Sequence, residues 1–286
     1  MCRLKEYETF LLEQEYSVNT IRKYVRDVGR FLEYAGTEEP DRMMTLLYKE
    51  ELQNHYQLSS VNSVLASMNS YLKYIGKADC CVRACRIQRQ IFRSDSLELS
   101  RDEYQNLILT ARKRGKYRLS CIMQTIGSTG IRIGELKHIT VEALETGVVN
   151  VYSKGKARMV LLSDALKELL KDYCQMENIK EGSIFITRNG CPVDRKNVWA
   201  EMKALCQAAG VPKSKVFPHN LRHLFACCFY EKEKDLVRLA DYLGHSNVET
   251  TRRYTMISSM GSWQKQLELG LLVPREKDKA ERENTE

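Results

Sequence analysis

Between Ser17 and Gly36 the chain reads SVNTIRKYVRDVGRFLEYAG, with Ile21, Val25, Val28 and Leu32 recurring every three or four positions. That spacing predicts an amphipathic helix, started by Ser17 or Asn19 as cap and stopped at Gly36. A second helix is predicted in VNSVLASMNSYLKYIG, where Val61, Val64, Leu65, Met68, Leu72 and Ile75 share one face before Gly76. Residues 1–77 therefore read as a small helical bundle. From 78 to 98 the apolar period lapses while Arg83, Arg86, Arg89 and Arg93 recur, so this stretch is expected to be a basic inter-domain linker. Ser100, followed three positions later by Glu103, is the signature of a capping box that opens a new domain. Within it, GVVNVYSKGKARMVLLS sets β-branched residues on both sides of a glycine turn and predicts a hairpin with Lys154 and Lys156 at its tip. Leu236, Leu239, Ala240 and Leu243 form a further helical face that ends at Gly244, and Ser246 with Glu249 predicts a capped short helix bearing Tyr254. The expected organisation is a helical domain 1–77, a linker 78–98, a second domain 99–274 and a charged tail 275–286. The expected fold class is mainly α with a small antiparallel β-sheet.

Composition narrows the function classes. The chain of 286 residues is 43% hydrophobic, enough for two cores. No apolar run approaches the roughly 18 residues of a membrane span, and MCRLKEYETF lacks the apolar stretch of a secretion signal. A cytoplasmic location with no membrane partner is expected. The ten cysteines lack paired CxxC spacing, which favours reduced thiols over disulfides or structural zinc. The net charge of +8 is unevenly placed: 27 basic against 18 acidic residues fall in 99–274, whereas 1–77 is near balance. Such an excess suits a polyanion surface. In the balanced segment Arg22, Arg26 and Arg30 follow at four-residue intervals beside Lys23, a stripe that reads as a phosphate-facing helix side or as a solvated face balanced by Asp27 and Glu33.

The candidate chemistry comes from four separated places. STGIRIGEL supplies Arg132 and Glu135, FPHNLRHLFA supplies His219, Arg222 and His223, LGHSNVETTRRY supplies His245 and Tyr254, and the hairpin supplies a lysine. Each alone has a plain explanation as surface pairing or helix capping. Together they suit phosphoryl chemistry. Arginines make bidentate bonds to phosphate oxygens and stabilise the added charge of a five-coordinate phosphorus. A tyrosine phenol, with a pKa of about 10, becomes a useful nucleophile when its charge develops beside cations and a histidine takes its proton. A lysine can protonate a departing 5′-oxygen. The predicted reaction is DNA transesterification, with no cofactor and no metal. His219 and His223, four apart on a helix, also fit a zinc pair, although no glutamate lies between them.

With these motifs assembled, the chain resembles the tyrosine recombinases of the phage integrase family, close to the bacterial chromosome-dimer-resolving recombinases and small integrases. The residues that carry the resemblance are TGIRIGEL, HNLRH and LGHSNVETTRRY, in that order, and NTIRKYVRDVGRFLEY is similar to the family's N-terminal SAM-like core-binding domain. The resemblance implies that core-binding domain followed by an α+β catalytic domain. It implies Arg132 and Arg222 as a phosphate clamp, His219 as general base or hydrogen-bond partner, His245 as transition-state donor and Tyr254 as nucleophile, with Glu135 and His223 in support. Lys154 is the better match for the general acid, and Lys156 stays open because SKGKARMV is shorter than the family's usual hairpin. Arg22, Lys23, Arg26, Arg30, Lys156 and Arg158 are the expected DNA contacts. The resemblance further implies double-stranded recombination sites, a tetramer on two sites that passes through a Holliday junction, a C-terminal segment around Trp263 and Leu267 donated to a neighbour, a second recombinase or accessory protein, and a place on the bacterial nucleoid. A type IB topoisomerase and a catalytically silent DNA-binding regulator are the alternatives.

Overall fold

The computed structural model describes residues 2–87, 98–153, 156–244 and 251. The chain divides into two compact units, Met1–Gln90 and Ile91–Glu286. Among the described residues there are eleven α-helices and a single two-stranded sheet.

The first unit is built from α1 (Cys2–Glu13), α2 (Val18–Ala35), α3 (Arg42–His55) and α4 (Leu58–Tyr74). Ser17 caps α2 by accepting from the Thr20 amide, and Gly36 closes it in the left-handed conformation at φ 65°. Of the apolar face predicted for α2, Ile21 and Val28 are buried and Val25 and Leu32 half-buried, with Phe31 buried beside them, and α4 answers with Val61, Leu65, Met68 and Leu72. Residues 78–85, the start of the expected linker, lie against α3 and α4. Cys80 and Val82 are buried in the first unit's core. Asn69 bonds the Val82 backbone through both its amide atoms, at 2.8 and 3.0 Å, and Asn62 does the same for Cys85 at 2.9 and 2.7 Å. Seven residues of helix rise about 10.5 Å, and three of extended chain about 10 Å. Two asparagines one heptad apart on α4 can therefore hold the adjoining irregular segment by its backbone, as a sheet neighbour would.

The second unit contains α5 (Arg101–Lys113), α6 (Tyr117–Thr129), α7 (Val141–Thr146), β1 (Val148–Ser153), β2 (Lys156–Leu161), α8 (Asp164–Met176), α9 (Arg195–Ala209), α10 (Pro218–Glu233) and α11 (Leu236–Leu243). The predicted capping box opens α5, with Ser100 Oγ accepting from the Glu103 amide and Glu103 Oε2 accepting from the Ser100 amide. Helix α6 is buried on several sides at once, through Leu119, Ile122, Met123 and Ile126, and forms the centre of the unit against α5, α8, α9 and α10. The hairpin is antiparallel, with Val151 opposite Arg158 and Val149 opposite Val160. Its inner face carries Val149, Val151 and Val160, and its outer face exposes Tyr152, Met159 and Leu161. The fold is thus mainly helical with a small antiparallel sheet, as the apolar pattern predicts.

Candidate functional site

Helix α6 ends at Gly130, whose φ of 61° is left-handed. An added Cβ there would lie 2.5 Å from Phe225 Cδ1 and 2.9 Å from Leu243, so only glycine fits. From this corner the chain leaves in extended form through Arg132 and enters a six-residue 3-10 turn, Ile133–His138. Glu135 sits in that turn with its side chain 7% exposed. Its Oε1 accepts from Arg132 Nη1 at 2.8 Å, and its Oε2 from the Arg132 amide at 2.9 Å and from Arg158 Nη2 at 2.5 Å. Burial raises the carboxyl pKa, but the Arg132 hydrogen bonds and the Arg158 and Arg132 charges outweigh it, and the pKa stays below its ordinary value. Glu135 is therefore an ionised anchor. Arg132, with 41% of its side chain exposed, is held by it at the cavity edge.

Arg222 lies on the first turns of α10 and is 2% exposed. Its Nη1 donates to the Gly130 carbonyl and its Nη2 to the Leu243 carbonyl at 2.8 Å. These carbonyls lie at the C-terminal ends of α6 and α11, where backbone acceptors lack helical partners and the helix dipole is negative. A cation placed there is oriented by two rigid helices. His219, one turn earlier, is exposed and lines the same cavity as Arg132, Glu135 and Arg222. That cavity measures about 1020 Å³, and Tyr152 and Trp199 form part of its wall. His223 turns away from it: 5% exposed, it meets Glu98 Oε1 at 3.2 Å and Cys227 Sγ at 3.6 Å. The two histidines thus diverge, which removes the geometry of the zinc pair considered from spacing alone.

The structure brings Arg132, Glu135, His219 and Arg222 together and sets His223 behind them. His245, Tyr254 and Lys154 lie outside the described residues, as do Trp263, Leu267 and the tail 275–286, and Lys156 is described in its backbone alone. Two expected DNA contacts, Arg158 and Lys23, have partners within the protein. Arg158 is 11% exposed and tied to Glu135 and to the Tyr242 carbonyl at 3.0 Å. The signal was present in the sequence: in KARMVLL, Arg158, Val160 and Leu162 share one phase of the two-residue strand period and face the core. Lys23 is occupied by Asp27 at 2.6 Å, Ser67 at 3.0 Å and the Ser63 carbonyl at 2.8 Å, because α4 packs against that side of α2. Arg22, Arg26 and Arg30 remain exposed. Tyr152 and Trp199 were missed by sequence reasoning, because nothing in their local patterns links a strand residue to a residue of α9.

Comparison with known proteins gives this geometry a context. The model of the phage integrase family matches residues 98–259, and that of the phage integrase N-terminal SAM-like domain matches residues 4–78. Tyrosine recombinase XerA of Pyrococcus furiosus is 28% identical over 265 residues, 90% of each chain. Tyrosine recombinase XerD of Oceanobacillus iheyensis is 26% identical over 282 residues, 89% of this chain and 93% of its own. Among solved structures, a XerH site-specific recombinase bound to palindromic difH substrate in a post-cleavage complex aligns with a TM-score of 0.72 at 20% identity, covering 90% of this chain and 81% of that one. A lambda integrase tetramer bound to a Holliday junction aligns at 0.70 and 16% identity, covering 88% and 75%. These two likenesses speak to the fold. With family models matching residues in both units and Arg132, Glu135, His219 and Arg222 lining one cavity, the chain belongs to the phage integrase family, the tyrosine recombinases.

Proposed function

We propose that this recombinase breaks and rejoins DNA at specific sites through a covalent 3′-phosphotyrosyl link at Tyr254. Arg132 and Arg222 hold the non-bridging oxygens of the scissile phosphate and stabilise the charge added at phosphorus. The Tyr254 oxygen bonds to phosphorus as the bond to the 5′-oxygen breaks. The phenol proton passes to His219, and the 5′-oxygen takes a proton from Lys154 or Lys156. His245 donates a hydrogen bond to the transition state. The reverse attack, by the 5′-hydroxyl of a partner strand, restores the phosphodiester and frees the tyrosine, so neither ATP nor a metal enters the balance. Residues 1–77 form the core-binding domain and 99–274 the catalytic domain, with Arg22, Arg26 and Arg30 on phosphates of the site. Four protomers act on two double-stranded sites through a Holliday junction, in the bacterial cytoplasm at the nucleoid. The segment around Trp263 and Leu267 docks on a neighbouring protomer.

The observation that supports this reading most is the convergence of Arg132, from the corner after α6, with Arg222 and His219, from the start of α10, on one cavity. Covalent trapping tests it. Nicked suicide substrates taken from the DNA flanking the chain's own coding sequence are incubated with the protein and chelator, then run on a denaturing gel. A protein–DNA adduct is expected in the wild type and none in Tyr254→Phe. Site binding without any adduct would overturn the catalytic reading in favour of a binding-only protein.

A further inference from the structure

We propose that Arg158 is a positioning residue that locks three segments of the site together: the lysine-bearing hairpin, the Arg132–Glu135 clamp, and the corner after α11. This rests on the reading of the site as a strand-cleaving centre. Arg158 sits in the middle of β2, on the inward face with Val160 and opposite Val151. A cation among valines is unfavourable unless its donors find acceptors. Arg158 meets that need with acceptors from two different segments. Nη2 donates to Glu135 at 2.5 Å and Nη1 to the Tyr242 carbonyl at 3.0 Å, while Nε is buried with no hydrogen-bond partner among the described residues. The carboxylate is shared, since Glu135 also holds the side chain and amide of Arg132. Arg132 is therefore aimed through a relay whose far end is Arg158.

The corner was shaped around the same side chain. Gly244 adopts φ 65°, and a Cβ at that position would collide with Arg158 Cδ. Tyr242 adds a second strap, its hydroxyl donating to the Leu161 carbonyl of β2 at 3.3 Å. A planar fork can reach a carboxylate and a carbonyl at once, whereas a lysine ammonium in the same space is a point charge. Arg158 does not line the cavity that Arg132 and Arg222 share, and its side chain is 11% exposed.

The test is single-turnover adduct formation on nicked sites carrying either the ordinary 5′-bridging oxygen or a 5′-bridging sulfur, whose thiolate leaves without a proton. Arg158→Lys is expected to bind site DNA within about threefold of wild type, with an unchanged salt slope. Its adduct is expected to form about 100-fold more slowly on the oxygen substrate. The sulfur substrate should recover part of that loss in Arg158→Lys and none in Glu135→Gln, because the hairpin lysine is displaced only in the former. The double variant should be no slower than the slower single one. Should Arg158→Lys fail to fold, Arg158→Met with Glu135→Met, which removes both buried charges together, must show the same rate loss with retained affinity. An active wild type with Arg158→Lys within threefold of its rate overturns the inference alone, as does a loss confined to affinity with a shallower salt slope. A wild type that forms no adduct on either substrate overturns the site reading as well.

Discussion

Gly130 has two roles in the candidate site. Its left-handed backbone turns the chain out of α6 towards Arg132, and its carbonyl accepts from Arg222. Phe225, which a Cβ would strike, is stacked against Tyr242 at 5.5 Å and lies 5.9 Å from Phe229, so it has little room to move. Gly130→Ala is therefore expected to combine backbone strain with overpacking and to lower stability by about 2–4 kcal/mol. Gly36 has the same backbone sign but open space around it, and Gly36→Ala should cost only about 1 kcal/mol. Urea denaturation of the two variants checks the contrast, and equal losses would refute it. Both glycines are readable as helix stops, but only the folded chain brings Phe225 against one of them.

At the scale of elements, α2 and α4 are joined by a buried carboxylate. Asp27, 3% exposed, accepts from Lys23, Arg26 and Ser67. Burial raises its pKa, but those hydrogen bonds and the Lys23 charge overcome the effect and hold it below the ordinary aspartate value. Asp27→Ala removes the acceptor that ties Lys23, Arg26 and Ser67 together, while Ser67 keeps the Ser63 carbonyl and Lys23, one-third exposed, can turn to water. The expected loss is about 1–3 kcal/mol, seen as a lower urea midpoint for the first unit. A variant as stable as wild type would show the network to be incidental. Asp27 reads in the sequence as a surface charge balancing a basic stripe, because helical spacing places it near Lys23 and Arg30 but does not tell which neighbour covers that side. The same limit hid the docking of residues 78–85, where Asn62 and Asn69 act from a helix face that looks merely polar.

For the whole molecule, acid stability follows from several depressed carboxylates. Glu135, Glu103 and Asp27 all titrate below their ordinary values of 4.5, 4.5 and 3.8. Each binds its proton less readily when folded, so each contributes stability that is fully present above the unfolded pKa and is lost as pH falls through the folded one. His138, pressed below 6.5 by burial and by Lys137, adds an earlier and smaller decline below that value. Thermal midpoints are expected to fall slightly below pH 6.5 and steeply below about 4.5. Glu135→Gln should flatten the steep part in the second unit. An unchanged acid slope in that variant would contradict an ionised Glu135.

Apolar periods of 3.6 and 2 and capping residues are local properties, and they determined α2, α4, the hairpin, the capping box at Ser100 and the stop of α11 at Gly244, while three spaced motifs made Arg132, His219 and Arg222 candidates for one site. Local patterns extend over a few residues, and so do the forces that make them. Tertiary packing decided what each polar group faces: Glu135 against two arginines, Arg222 against the ends of α6 and α11, His223 against Glu98, and Arg158 inward. Those choices depend on which carbonyls and carboxylates approach from as many as 125 residues away, as Glu98 does for His223. A buried charge settles on whatever acceptors the assembled fold presents, and only that fold brings them within hydrogen-bond reach.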